Sequence, residues 1–326
     1  MNSNVLKAQD VHFSQFNRSV LLLNPSLAGS YTEDFRMILC NRQQWKSVAN
    51  PYKTIAAGAD VRMNKNRWKT GFMGLGLNFY SDRAGDSQMG ITRVDLSVSY
   101  KAILDRRNIF GGGIQIGYAQ HSLSTGKLMW GSQFDGDQYN SSLPSGELFS
   151  TSFSYIDVGE GITWQGHPSS SVWLNAGAAM FHTATPRYSY YDEANVKIYR
   201  KEVIHGDAFI RVKNSNYGFA PEFMYVRQGA AQEITLGALE KITFRAASVF
   251  TGFVNATQFI VGLHYRVGDA VITSMGIEQG SWSVRLSYDV NASKLSNASR
   301  YQGGYEISLK YTSPKYWHYK KMRAKF

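Results

Sequence analysis

The sequence is short of cysteine, of proline and of long apolar runs. Its 326 residues hold one cysteine, Cys40, so no internal disulfide can form. Met37, Ile38 and Leu39 precede it, and a large side chain at that position does not suit a lipoprotein cleavage site. A small residue on a strand is the simpler role for Cys40. Only 7 prolines interrupt the chain, which leaves room for long strands. No stretch of about 18 apolar residues exists, so no transmembrane helix is available. A β-barrel stays open, because barrel strands satisfy one another's backbone groups. Residues 1–8 lack the apolar core of a secretory signal, although Ala8 suits the small residue before a cleavage site.

Charge is also scarce, at 18% of residues, and it is unbalanced: 35 Lys plus Arg against 24 Asp plus Glu give a net +11. The basic residues are dispersed, with Lys65, Arg67 and Lys69 at one turn, Arg106 and Arg107 at another, and a strip from Lys315 to Lys325. No recognition-helix or RNP-like motif accompanies them, so nucleic acid is not an expected partner. Membrane lipid or lipopolysaccharide headgroups, and acidic proteins, match the charge better.

What is abundant is alternation. Val94, Leu96, Val98, Tyr100 and Ala102 alternate with Arg93, Asp95, Ser97, Ser99 and Lys101. Trp282, Val284, Leu286, Tyr288 and Val290 face away from Ser283, Arg285, Ser287 and Asp289. Tyr305, Ile307, Leu309 and Tyr311 do the same against Glu306, Ser308, Lys310 and Thr312. Val261 and Leu263 oppose His264 and Arg266, and Ile114 and Ile116 extend the series. A period of two means a sheet with one apolar and one polar face. Charges recurring on the polar side suit a wet surface or lumen better than a sandwich core.

The expected fold is therefore all-β: a transmembrane antiparallel β-barrel of about 14 strands, with long outer loops and short inner turns. Arg93, Asp95, Lys101, Arg266, Arg285, Asp289, Glu306 and Lys310 are candidates for a lumen network. The apolar partners Val94, Leu96, Val98, Ile114, Ile116, Val261, Leu263, Val284, Leu286, Ile307 and Leu309 should face lipid. Trp68, Tyr80, Tyr100, Trp164, Trp282 and Tyr311 are expected in interfacial girdles. Glu160 breaks the pattern by sharing a face with Ile156, Val158 and Ile162, which suggests a bulge or a place near the interface.

An even strand count puts both chain ends on the periplasmic side. Short turns are expected at 64–68, 105–108, 165–170, 214–216 and 279–280. Long outer connections are expected at about 121–147 and 182–206, the second with a hairpin at 196–203. The region 234–254 reads as one long strand or two. Residues 1–31 do not alternate well and read as a loop anchored by leucines, with 32–313 expected as the barrel and 314–326 as a basic aromatic periplasmic tail.

Nothing points to an enzyme, a cofactor or a metal. The seven histidines show no metal-ligand spacing, and none lies near Cys40. Gly111-Gly112-Gly113 opens no helix, and Gly280-Ser281-Trp282-Ser283 does not match a nucleophile elbow.

Leu286-Ser-Tyr-Asp-Val290, Ser293-Lys-Leu295 and Gly303-Gly-Tyr-Glu-Ile-Ser-Leu309 together resemble the C-terminal signature of the PorP/SprF family. Gln9-Asp-Val-His-Phe-Ser-Gln-Phe16, Leu23-Asn-Pro-Ser-Leu-Ala-Gly29 and Arg42-Gln-Gln-Trp45 resemble its N-terminal one. The resemblance implies a non-enzymatic outer-membrane barrel of the type IX secretion and gliding machinery in a diderm bacterium, with residues 1–31 as an N-terminal periplasmic or plug-like segment. It would anchor periplasmic ring components or hold a secreted cargo such as a surface adhesin. Partner-binding candidates are Asn24, Pro25, Gly29, Lys315, Trp317, Lys320, Lys321 and Arg323. The tail then has two readings, an interfacial strip or a docking element for an acidic partner. The alternative function is a solute-uptake barrel of the fatty-acid-transporter type, and a soluble β-rich protein with a dry core is a third.

Overall fold

The computed structural model describes residues 10–44, 51–63, 70–85, 87–126, 128–191, 196–245, 256–293 and 302–313. The alternating stretches become fourteen strands. They are β1 (Phe35–Gln44), β2 (Tyr52–Met63), β3 (Gly71–Ala84), β4 (Met89–Ile103), β5 (Asn108–Ser122), β6 (Ser152–Ser169) and β7 (Val172–Phe181). There follow β8 (Lys201–Arg211), β9 (Tyr217–Gln228), β10 (Ala231–Arg245), β11 (Thr257–Arg266), β12 (Ala270–Gln279), β13 (Trp282–Asn291) and β14 (Gln302–Thr312). Each pairs antiparallel with its sequence neighbours. β1 pairs with β14 from Arg36 against Thr312 to Gln44 against Gly304, which closes the barrel and removes every sheet edge.

The two faces are inverted relative to a soluble protein. Leu96, Ile116, Leu263 and Leu286 stand 49, 55, 60 and 48% exposed on the outside, while Asp95, Ser97 and Lys101 are fully buried within. The other expected lipid-facing residues share this outward phase, with Val98 and Leu309 half-buried. A polar inside and an apolar outside suit a wall bathed in hydrocarbon. No helix among the described residues is long and apolar enough to cross a membrane. The crossing elements are strands.

The two ends of the barrel differ in their connections. Residues 104–107, 170–171, 212–216 and 280–281 make tight turns at the end where β1 begins and β14 finishes. Residues 123–151 and 182–200 form long loops at the other end, and the long loops of such barrels face outward. The tight 267–269 and 229–230 connections also lie at this loop end.

Several local expectations need correction. β6 runs on to Ser169, so the turn expected at 165–170 shrinks to 170–171. Among the described residues, 196–203 makes no hairpin of its own: Lys201 opens β8, and an isolated antiparallel bridge joins Arg187 to Lys197. β10 is one strand up to Arg245, and the rest of the 234–254 region lies outside the described residues. Tyr80 is no girdle residue. It follows Phe79, which points outward, so the two-residue period turns Tyr80 into the lumen, where it is 4% exposed. Tyr100, Trp164 and Trp282 do face outward near the turn end, while Trp68 lies outside the described residues. Glu160 sits at no bulge. It pairs in register with mid-strand Ile114 and with Met180, and its side chain is exposed on the outer face.

The protein's dry core is inside the lumen. Residues 10–34 run down through the barrel, from Asp10 beside Gln228 at the loop end to Tyr31 beside Asp60 at the turn end. Leu21, Leu23 and Leu27 need burial, and the lumen wall supplies it. Phe16, Leu23 and Leu27 pack on Ala179, Phe181, Val203 and Met224. Phe13 packs with Ile38, Cys40, Ala56 and Tyr80. Each such side chain contributes about 1.5–3 kcal/mol when taken from water.

Candidate functional site: the plug and its seat

The Leu23-Asn-Pro-Ser-Leu-Ala-Gly29 stretch forms the firmest part of this plug. One helical turn, α1 (Val20–Leu23), gives way to a 3-10 turn at Pro25–Leu27. Asn24 caps the second turn by accepting from the Ser26 N–H at 2.9 Å, and Pro25 takes the first position, where no N–H is needed. Gly29 ends the stretch at φ +68°, a conformation that glycine adopts freely.

The wall is shaped to receive this turn. A Cβ at Gly113 on β5 would stand 2.6 Å from the Ser26 backbone, and one at Gly76 on β3 would stand 2.8 Å from Leu21. A Cβ at Gly161 on β6 would strike the Asn24 amide, and one at Gly74 the Ala28 carbonyl. These glycines let the backbone of the plug approach the sheet directly. Asn24 Nδ2 then donates to the Ile162 carbonyl at 3.0 Å and lies 3.1 Å from His205 Nε2. Lys101 Nζ donates to Thr163 Oγ1 at 2.5 Å and to Ser26 Oγ at 3.2 Å. Asp60, held by Arg36 at 2.8 Å, accepts the Gly29 N–H.

Toward the loop end the plug is held by charge. Arg42 lies 3.1 Å from Asp289 and 3.5 Å from Glu306, and Arg266 lies 3.4 Å from both Asp289 and Glu233. Ser14 and Gln15 enter this cluster. Glu306 accepts the Ser14 N–H at 2.8 Å, and Ser308 donates to Gln15 Oε1 at 2.6 Å. Asn17 bonds Glu222 and accepts from Arg285 at 3.1 Å. A second chain of charges runs from Asp95 through Arg93, Asp157 and His182 to Asp10, with links of 2.6 to 2.8 Å. His182 opens the second long loop. Burial opposes its charging, but Asp10 and Asp157 outweigh that and raise its pKa to about 9. It therefore clamps Asp10 as an imidazolium at neutral pH.

All eight candidates for the lumen network point inward, in five separate groups. Arg266, Asp289 and Glu306 share one cluster, and Arg93 and Asp95 another. Lys310 lies 3.9 Å from Glu278, Arg285 meets Asn17, and Lys101 is tied to hydroxyls alone among its hydrogen bonds. Asn24, Pro25 and Gly29 are buried against the wall. Lys315, Trp317, Lys320, Lys321 and Arg323 lie outside the described residues. Sequence reasoning missed Asp10, Arg42, Asp157 and His182. The period of β1, with Arg36, Ile38, Cys40 and Arg42 in one inward phase, carried a signal for Arg42. His182, in an irregular loop, had none.

A closed fourteen-strand barrel with an apolar exterior and a lumen filled by its own N-terminal segment is an outer-membrane protein. The family described as type IX secretion system membrane protein PorP/SprF matches residues 5–311. The chain belongs to that family. No curated protein matches it. Among solved structures, the toluene transporter TbuX of Ralstonia pickettii is similar in fold at 10% identity and a TM-score of 0.50, over 90% of this chain and 93% of that one. A Pseudomonas aeruginosa FadL homologue is similar at 9% identity and a TM-score of 0.49, over 90% and 94%.

Proposed function

We propose that this barrel serves the type IX machinery as a closed anchor rather than as a conduit. Its turn-end face and basic tail grip periplasmic ring components, or its loop mouth holds a secreted cargo such as a surface adhesin. The observation that supports this is the seat: buried carboxylates, guanidinium groups and wall glycines all engage residues 14–29. A solute-uptake barrel needs a continuous lumenal path, and this packing speaks against one. Two measurements test the proposal. Purified protein in planar bilayers should give no ion conductance. Deletion of residues 315–326 should leave the barrel inserted while reducing recovery of ring components with it. Open-channel conductance of the native protein sinks the closed-anchor reading, and normal recovery and secretion after the deletion make the tail merely interfacial.

A further inference from the structure

Between the outer half of the plug and the inner face of β8, β9 and β10 lies a cavity of about 600 Å3, open mouth included. Its depth is apolar, with Phe16 and Leu23 of the plug facing Val203 and Met224 of the wall. Sites that bind small molecules share this composition, an apolar lining with a few polar groups fixing orientation. Here the polar groups stand at the rim, and most are already satisfied. Lys201 Nζ lies 3.6 Å from Asp10, and Gln228 Nε2 donates to Asp10 Oδ1 at 3.3 Å. A charged guest would therefore lose its hydration without gaining a free counter-ion. One rim group is different. His12 Nε2 is buried with no hydrogen-bond partner, while its Nδ1 lies 3.9 Å from Glu233, too far for a hydrogen bond.

We propose that this cavity binds a neutral amphiphile: an aromatic ring system or short aliphatic chain that carries a hydroxyl. The apolar body rests against Phe16 and Met224, and the hydroxyl bonds His12 Nε2. A hydroxyl both donates and accepts, so it suits either tautomer of the imidazole. The site opens toward the loop end and needs no path across the membrane, so it is compatible with a closed barrel and independent of what the tail grips. Because Asp10, His12 and Phe16 belong to the plug, occupancy also ties the outer half of the plug to the wall.

The test is equilibrium dialysis of 2-naphthol against the full chain in lipid nanodiscs, with empty nanodiscs correcting for partition into lipid. Saturable uptake of one probe per barrel is expected. Met224→Trp, which fills the cavity, should abolish it. If that variant loses the folded form on a heat-modifiability gel, Val226→Trp fills the cavity from the same strand. His12→Phe should weaken 2-naphthol about fivefold to tenfold, the loss of one hydrogen bond, and leave naphthalene unaffected. The charged analogue 2-naphthoate should bind more weakly than 2-naphthol. Uptake no greater than that of empty nanodiscs overturns the proposal. So does undiminished binding by the filled variants, and so does equal affinity for naphthalene and 2-naphthol.

Discussion

Ser14 Oγ donates to Asp289 Oδ2 across 2.6 Å, although 275 positions separate the two residues. The same hydroxyl accepts from Arg42 at 2.6 Å and from Arg266 at 3.1 Å. One small side chain of the plug thus completes a buried charge cluster built by β1, β11 and β13.

Breaking that cluster on one side should be more damaging than removing it. Asp289→Leu leaves Arg42 and Arg266 short of a buried counter-charge, at a cost of about 3–5 kcal/mol. Combining it with Arg42→Met should restore part of the loss. Heat-modifiability gels of the three variants give the order, and equal loss in single and double variants contradicts it.

The glycine seat predicts a selective effect on the plug. Gly113→Val places a side chain where the Ser26 backbone lies, and overpacking of this kind costs about 1–3 kcal/mol. The wall keeps its register, so the plug yields first. Limited proteolysis should cut the N-terminal segment of the variant and spare it in the wild type. An uncut variant means that the wall moved instead.

The His182 clamp predicts a pH dependence. Its folded pKa of about 9 exceeds the ordinary value of about 6.5. A raised pKa stabilises fully below the unfolded value and is lost as pH rises through the folded one. Protection of plug amides near Asp10 should therefore fall between about pH 6.5 and pH 9 by this linkage. Hydrogen exchange reads it, and His182→Gln should flatten the profile. A wild-type profile that is already flat rules the clamp out.

Lipid contact predicts a penalty on the outer face. Leu286→Lys places a charge on a mid-strand outward position, and the expected cost is about 2–4 kcal/mol. Ser287, one residue on, points into the lumen, so Ser287→Ala should cost far less. Unfolding titrations in lipid vesicles compare the pair.

The wall was legible in the sequence because hydrocarbon outside and polar contacts inside impose one strict period. That is why Leu96 and Asp95, or Leu286 and Arg285, could be assigned to faces from spacing alone. Tyr80 was misplaced because its residue type was weighed above its phase. The plug was legible only as an option, since Leu21, Leu23 and the Asn24-Pro25 turn demand burial without saying where. The seat was hidden for a different reason. Gly76, Gly113 and Gly161 read as ordinary strand glycines until the segment that fills the space above them is in place. Asp10 and His182 lie 172 positions apart, and no local pattern links them.

The closing seam of the barrel bears on how the molecule is assembled. β14 carries Glu306, which holds the plug backbone at Ser14, and it also pairs with β1 to finish the cylinder. A segment that reaches from the turn end to Asp10 at the loop end cannot be threaded easily through a finished cylinder packed this tightly. β14 meets its neighbour strand and the backbone N–H of the plug at once. Holding the plug and sealing the cylinder therefore depend on the same strand.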